Sequence, residues 1–211
     1  METQLIPVPP EEVVKANTRE AFDAFFSADD YIASSYLCRA RLDLYDLVAD
    51  YCASSMTGSK QLDVVDVGCG TGHMLQALGR RLAPRELVLT GLDFSAVAVG
   101  RCRALLPAAT FVVGDLYESP LPASAYDLVL CLETLEHLLD PLAALRELLR
   151  ICKTGGRLVL TVPNGEKDSW DGHRHFWTPA EFAEYLRPWG LANLLRLQDD
   201  TALLAEVVKK V

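Results

Sequence analysis

Beyond residue 60 the chain alternates short aliphatic runs with longer stretches of helical periodicity, and this alternation limits the possible fold more than any other feature. The runs are short and rich in valine and leucine, which favours strands over buried helices. Strands that alternate with helices form βαβ units, whose strands lie parallel in one sheet with helices on its faces. The sequence therefore predicts an α/β protein. The predicted strands span 62–67, 87–92, 110–113, 128–132 and 157–162, and the intervening helices end near 82 and 106 or span 142–152.

The end of the chain departs from this alternation. One more helix is expected there, because Thr178 is a good N-cap residue and Pro179 suits a first helical turn. Two strands follow it, joined at Asp199 and Asp200. Strands joined by so short a turn are antiparallel, so one strand of this closing hairpin must run against the rest of the sheet. The predicted elements are a helix over 179–186 and strands over 191–197 and 202–208.

Residues 1–60 have a different character. Their apolar side chains recur at helical spacing, which predicts two or three helices and no strand. Because this segment precedes the first strand and has no place in the sheet, we expect a helical lid that contributes to substrate selection by the 61–211 core. Phe22, Phe25 and Phe26 have the spacing of a buried helix face, so a core position is preferred for them over a substrate pocket.

Composition narrows the range of partners. The 211 residues include 29 acidic and 20 basic side chains, giving a net charge of −9, which repels phosphate backbones and anionic lipid. No apolar run is long enough to cross a bilayer, and the N-terminus lacks the basic and apolar segments of a signal peptide. The six cysteines are scattered without a CxxC pair, as expected of reduced thiols. We therefore expect a cytoplasmic protein that acts on a small molecule rather than on nucleic acid or membranes.

Chemistry-bearing residues follow three of the predicted strands, at the edge of a parallel sheet where ligands bind. Alternate glycines after the first strand permit a tight turn and let a ligand approach backbone N–H groups. Acids after the second and third strands can accept hydrogen bonds from ribose hydroxyls and from an exocyclic amine. A dinucleotide dehydrogenase has similar loops, but its GxGxxG pattern is broken here by His73. The residues are Asp66, Gly68, Gly70 and Gly72, then Asp93 and Phe94, then Gly114, Asp115 and Leu116.

A second group of polar residues follows the fourth strand. Glu133, Glu136 and His137 have the i, i+3, i+4 spacing of one helical face, and His173 and His175 lie in the loop after the fifth strand. Two carboxylates with one or two imidazoles form a divalent-metal set that would bind substrate hydroxyls and lower the pKa of one of them. The alternative is that these side chains only hydrogen-bond to hold the loop. One of the histidines would then serve as general base.

Five segments over about residues 60–187, taken in order, resemble the motifs of the class I S-adenosylmethionine-dependent methyltransferases. They are DVGCGTG, LDFS, GDLYESPLP, YDLVLCLETLEHLLDP and TGGRLVLTVPN. The resemblance implies a Rossmann-like, seven-stranded, mostly parallel sheet of order 3-2-1-4-5-7-6 with strand seven antiparallel. It also implies S-adenosylmethionine as cofactor. The family's glycines border the methionine part, its ribose acid and neighbouring aromatic follow strand two, and its adenine contacts follow strand three. Carried over by position, these residues are Asp66, Gly68, Gly70, Gly72, Asp93, Phe94, Asp115, Leu116 and Leu132.

The ExxEH pattern at 133–137 resembles two groups within this class. They are the quinone-biosynthesis O-methyltransferases and the small-RNA 3′-terminal 2′-O-methyltransferases, and in the second group a further histidine precedes a Trp-Thr pair. His173 stands four residues before Trp177 and Thr178, which is the matching position. The resemblance thus implies a site for Mg²⁺ or a similar cation and leaves His137 and His175 as candidate catalytic bases. The implied metal ligands are Glu133, Glu136, His137 and His173.

These observations predict a methyltransferase that acts on a small molecule, with oxygen preferred as acceptor because of the metal set. Three alternatives stay open from the sequence. They are an N- or C-methyltransferase of a metabolite without metal, an RNA 3′-end 2′-O-methyltransferase, and an inactive cofactor-binding partner subunit. The sequence indicates no oligomeric state.

Overall fold

A computed structural model describes residues 17–56 and 61–210. Seven strands form one sheet in the order β3-β2-β1-β4-β5-β7-β6. Strands β1 to β5 are parallel to one another, while β7 pairs antiparallel with both β5 and β6. The predicted strand order and the predicted antiparallel strand are confirmed. The strands are β1 Leu62–Val67, β2 Leu87–Asp93, β3 Thr110–Val113, β4 Tyr126–Leu132, β5 Cys152–Pro163, β6 Leu191–Leu197 and β7 Ala202–Val208.

Helices cover both faces of this sheet because its central strands are apolar on both sides. In β1, Val65 and Val67 pack on one face, and Val64 packs on the other. No helix among the described residues is long and apolar enough to cross a membrane. The longer helices are α1 Arg19–Ser27, α2 Arg39–Ser55, α3 His73–Leu82, α4 Ala96–Leu105, α5 Pro141–Ile151 and α6 Pro179–Leu186.

The described part of the N-terminal segment consists of helices joined by short connections, as predicted. Between α1 and α2 the chain makes a short turn, Asp29–Tyr31, and then one turn of π-helix, Ile32–Tyr36. Helix α2 is anchored to the sheet at β7, since the Tyr51 hydroxyl donates to Glu206 of that strand over 2.9 Å. Residues 1–16 and 57–60, which also belong to the predicted lid, lie outside the described residues.

The start of the fifth strand differs most from the sequence-based expectation. The fifth strand begins at Cys152 rather than at 157, and α5 ends at Ile151. Cys152 pairs with Tyr126, and the register then shifts before Leu128 pairs with Arg157. Pairing thus continues across an irregularity through the Gly155-Gly156 stretch, which suggests a loop when the sequence is read alone.

Candidate active site

The turn after β1 requires glycine at two positions. Gly68 has a φ of +76°, and a Cβ there would lie 2.5 Å from Thr134 Oγ1. Gly70 has a φ of +50°, and its Cβ would lie 3.1 Å from Tyr36 Cε1. Both the positive φ and the close side chains disfavour any larger residue. The turn therefore lies directly against side chains from β4's end and from the N-terminal segment.

Asp93 at the end of β2 connects this turn to the next one. Its Oδ2 accepts a hydrogen bond from the Gly70 N–H, and its Oδ1 accepts one from the Ser95 N–H, each over 2.9 Å. Burial raises the pKa of Asp93 to about 6, although the two N–H groups favour its ionised form. The Ser95 hydroxyl contacts Asp23 of α1, so the N-terminal segment is joined to the same corner.

A cavity of about 140 Å³ opens beside this corner. It brings together residues from the ends of the first three strands, as the parallel topology predicts. Phe22 and Phe26 of α1 close it from the N-terminal side. Phe26 is a buried core residue, as expected, whereas Phe22 is only partly buried and lines the cavity, which corrects the core position preferred from its spacing. The predicted cofactor residues that line this cavity are Gly68, Gly70, Asp93, Phe94, Asp115 and Leu116.

A second cavity of about 340 Å³ adjoins the first, because six residues line both. Asp66 and Leu132, also predicted as cofactor residues, line this second cavity. Gly72 lines neither cavity and instead occupies the N-cap position of α3. The residues common to both cavities are Phe22, Tyr36, Gly68, Gly70, Glu133 and His137.

Glu136, His137 and His173 converge on the second cavity. One ligand atom from each lies within 4.8 Å of the others. The Nε2 atoms of His137 and His173 are 3.8 and 3.9 Å from Glu136 Oε1. His173 Nδ1 lies 2.5 Å from Asp168 Oδ2, which favours the tautomer whose Nε2 lone pair faces Glu136. The arrangement has the chemistry of a cation site, with an outer carboxylate orienting one imidazole.

The electrostatics of this cluster follow from its burial. Glu136 is fully buried, and neither of its carboxylate oxygens has a hydrogen-bond partner among the described residues. Burial raises its pKa, and the charge of Glu133 raises it further. Burial also lowers the pKa of His137 to about 3, with an added contribution from His173. At neutral pH His137 is therefore an uncharged imidazole with weak basicity, which suits a ligand better than a proton acceptor.

Glu133 and His175 do not join the cluster. The predicted helix at 133–137 is only a 3₁₀ turn, Leu135–His137, and Glu133 has a φ of +49°. Its carboxylate instead accepts from Thr161 Oγ1 over 3.0 Å and pairs with Arg41 at 3.4 Å. His175 lines neither cavity, because its Nε2 lies 2.8 Å from the Leu138 carbonyl and its ring stacks on Trp177.

Two segments cover both cavities, and we call them the roof: residues 17–36 and the loop 164–177. Asn17 Nδ2 donates to the Gly172 carbonyl over 2.7 Å, which joins the two segments. The loop is held from below, since the Arg174 N–H donates to the Glu136 carbonyl over 2.7 Å. Trp170 lines the second cavity with its ring 5.7 Å from that of His137.

Sequence reasoning missed several lining residues of the second cavity. Tyr45 reads as an ordinary apolar position of a helix, and the stretch around Tyr36 and Arg41 reads slightly better as a solvated helix face than as a binding surface, although all three line the cavity. Burial raises the pKa of both phenols, so they stay uncharged. Tyrosine and arginine side chains near the chain's N-terminus, and Trp170 in the polar 164–177 loop, are the sequence signal of this pocket.

This sheet order, with a glycine turn, a buried acid after β2 and a cavity at the carboxyl edge, defines a Rossmann-like cofactor-binding fold. Residues 65–160 match the family model described as a methyltransferase domain. Ubiquinone biosynthesis O-methyltransferase of Alkalilimnicola ehrlichii is 33% identical over 140 residues, covering 63% of this chain and 54% of that protein. Residues 65–160 therefore form a methyltransferase domain, and the sheet order is that of the class I S-adenosylmethionine-dependent enzymes. The chain spans about half the length of the curated relatives it matches.

Solved structures agree on the fold. The DhpI complex with S-adenosylhomocysteine (SAH) superposes with a TM-score of 0.73 at 19% identity, covering 95% of this chain and 99% of that one. A chain from the complex between the Haloferax volcanii Trm112 methyltransferase activator and a methyltransferase gives a TM-score of 0.71 at 23% identity, covering 90% and 98%. At these identities the likeness establishes the architecture alone.

Proposed function

We propose that this chain transfers a methyl group from S-adenosylmethionine to a hydroxyl of a small molecule, assisted by a divalent cation held by Glu136, His137 and His173. The observation that carries the proposal is the convergence of these three side chains within 4.8 Å in a cavity continuous with the cofactor cavity. The name of the Alkalilimnicola relative supports oxygen as the acceptor.

The residues of the first cavity fit the cofactor. Gly68 and Gly70 line the cavity where the methionine part would lie, and Asp93 presents a buried carboxylate to the ribose hydroxyls. Phe94 offers a ring face to adenine, and Asp115 offers an acceptor to its amine. We therefore assign these residues, with Leu116, to cofactor binding, and Asp66 and Leu132 to the adjoining wall.

The residues of the cluster fit a cation. A buried carboxylate without a hydrogen-bond donor costs several kcal/mol unless it is protonated or paired with a positive charge. Glu136 is in that situation, and two uncharged imidazoles stand beside it. Mg²⁺ or a similar ion held there would lower the pKa of a substrate hydroxyl and fix its direction. Glu133, the fourth ligand implied by the resemblance, pairs with Arg41 instead.

The chain's own contribution is to hold the reactants in line and keep water away. The electrophilic methyl comes with the cofactor. Phe22, Tyr36 and Trp170 exclude water from above, and the glycine turn forms the opposite wall. Asp168 keeps the His173 ring in one orientation. We further propose that residues 1–60 act as the lid of a 61–211 core, since roof residues from this segment line both cavities.

A second candidate is N- or C-methylation without metal, and one observation favours it. The His173–Asp168 pair has the geometry of a general base whose protonated form is stabilised by a carboxylate. In that case His173, rather than His137 or His175, would accept the proton. The RNA-end and inactive-subunit alternatives, like the cytoplasmic location, stay predictions from sequence, and the net charge of −9 argues against RNA.

Substituting Glu136→Gln tests the metal proposal. We expect the variant to lose binding of Mn²⁺ to the SAH-loaded protein. Electron paramagnetic resonance measures this binding. With 3,4-dihydroxybenzoate as probe substrate, we expect methyl transfer to fall about 10²- to 10³-fold. Glu184→Gln, an exposed carboxylate on α6, is the matched control and should change neither quantity. Full activity of the Glu136→Gln protein in excess chelator would show that no metal takes part and would favour the second candidate.

A further inference from the structure

The second cavity meets the solvent beside Trp170. Among the described residues that line this cavity, Trp170 alone is exposed, at 49%, while the others are buried or half-buried. Trp170 does not line the cofactor cavity. The volume of about 340 Å³ lies near the lower end of the range for small-molecule pockets, which is about 300–1,000 Å³. Trp170 therefore lies at the mouth of a small pocket, apart from the cofactor cavity.

A tight turn, residues 168–173, holds Trp170 beside the cluster. Asp168 fixes this turn at two points, because its Oδ1 accepts from the Trp170 N–H over 3.2 Å while its Oδ2 lies 2.5 Å from His173 Nδ1. The His173 N–H donates to the Trp170 carbonyl over 3.0 Å. The indole centroid is 4.7 Å from that of His173 and 5.7 Å from that of His137, and both imidazoles are nearly perpendicular to it. One turn thus sets the distance between the mouth of the cavity and the imidazoles of the cluster.

Gly172 provides the surface on which the indole rests. A Cβ at this glycine would lie 2.4 Å from Trp170 Cη2 and 2.5 Å from its Cζ3, so the six-membered part of the ring occupies the space of a side chain there. Gly172 is buried, and its carbonyl accepts from Asn17 Nδ2 over 2.7 Å, which joins it to the N-terminal segment. The position of the indole is therefore set by backbone that is held from two sides, by the turn and by Asn17.

We infer that Trp170 limits the size of the methyl acceptor: its indole closes the second cavity over an acceptor with a single ring and excludes one with a larger apolar part. The inference rests on the proposed function, which places the acceptor hydroxyl at Glu136, His137 and His173. Because the indole lies next to both imidazoles, a second ring on an acceptor held there would require the indole to leave Gly172. Exclusion of this kind costs free energy for the larger acceptor and leaves the smaller one unaffected.

A tryptophan ring at this position could instead attract an acceptor ring by direct contact, and the two roles predict different results. With an attractive role, every aromatic acceptor would bind more weakly once the indole is removed. With exclusion, the affinity for the larger acceptor rises. Trp170→Ala distinguishes the two roles, and it keeps the backbone N–H and carbonyl that hold Asp168 and His173 in place.

The test compares two diols that carry the same pair of hydroxyls, 1,2-dihydroxybenzene and the two-ring 2,3-dihydroxynaphthalene. Titration calorimetry with SAH-loaded protein and Mg²⁺ measures the affinity for each. For Trp170→Ala we expect the ratio of the two affinities to shift toward the two-ring diol by about 10- to 100-fold. In methyl-transfer assays the same shift should appear in the KM for the larger acceptor. Phe176→Ala is the matched control, since Phe176 is an exposed aromatic residue of the same loop that lines neither cavity.

Gly172→Ala is a second variant, and it keeps the tryptophan. Its added carbon would overlap the far end of the indole, which is the part that can move, so the affinity ratio should again shift toward the two-ring diol. Binding of Mn²⁺ should stay near that of the wild type in the Trp170 variant, because the turn that places His173 is kept. An unchanged ratio in both variants, or an equal loss of affinity for both diols, would overturn the inference. Wild-type protein that bound neither Mn²⁺ nor either diol would overturn the proposed function itself.

Discussion

The two halves of the candidate site are built in different ways. On the cofactor side, the strand ends and their turns set the geometry: Asp93 ends β2, accepts from the Gly70 N–H, and is fixed by backbone position. On the substrate side, contacts between segments far apart in the chain set the geometry. Asn17 and Gly172, 155 residues apart, meet above the cavities. The geometry of the cofactor half therefore depends on the sheet, and that of the substrate half depends on side-chain contacts within the roof.

If the cofactor half depends on backbone geometry, the largest effect should come from adding one methyl group there. We expect Gly68→Ala to weaken SAH binding by roughly a hundredfold, because its Cβ would collide with Thr134 and alanine disfavours a φ of +76°. Titration calorimetry measures the change. Gly100→Ala, on the exposed side of α4 with nothing within 4 Å of the added carbon, is the control and should bind normally. Normal binding by the Gly68 variant would remove the distinction between the halves.

The substrate half should respond to the loss of one side-chain contact instead. We expect Asp168→Asn to weaken Mn²⁺ binding by about 10- to 100-fold, because His173 loses the partner that fixes its ring. Asp171→Asn changes an exposed acid of the same loop and should leave the affinity unchanged. The affinity for SAH should stay near that of the wild type in both proteins. A parallel loss of SAH binding in the Asp168 variant would show that the two halves are not separable.

Asp66 lies at the boundary between the halves, and its effect is on the pH dependence of stability rather than on ligand affinity. Burial, and to a smaller extent the charge of Asp93, raises the pKa of Asp66 to about 7. Ionising this carboxyl therefore opposes folding. Its contribution is favourable at acid pH and is lost as the pH rises through 7. We expect wild-type protein to lose about 2 kcal/mol more stability between pH 5.5 and pH 8 than Asp66→Asn does.

Urea unfolding at the two pH values measures this difference. Equal pH dependence in both would show that Asp66 is solvated or paired in solution. Cofactor binding should remove part of the penalty if a positive group of the ligand approaches Asp66.

The sequence predicts the cofactor half better than the substrate half, because the cofactor half is set by the ends of the strands. The strand order, the hairpin and the positions of Asp93 and Asp115 could be read in advance, because parallel strand ends meet at one edge of the sheet. Glu133 could not be placed, since its pairing with Arg41 and Thr161 depends on contacts that no local pattern encodes. Helical spacing suggested a shared face that the chain does not form.

The roof was the least predictable part. Phe22 and Phe26 have indistinguishable local patterns, yet Phe26 is 2% exposed in the core and Phe22 lines both cavities. The π turn that aims Tyr36 has no recognisable sequence signal. His173 and His175 are two residues apart, and only the structure separates the one beside Glu136 from the one stacked on Trp177.

The hydrogen bond between Asn17 and Gly172 has a consequence for how the roof opens. A single neutral amide–carbonyl contact contributes only about 1 kcal/mol, which is close to thermal energy. Breaking this contact does not require α2 to leave the sheet, since that helix is anchored independently through Tyr51 and Glu206. We therefore expect the two roof segments to separate from each other more readily than the frame beneath them unfolds.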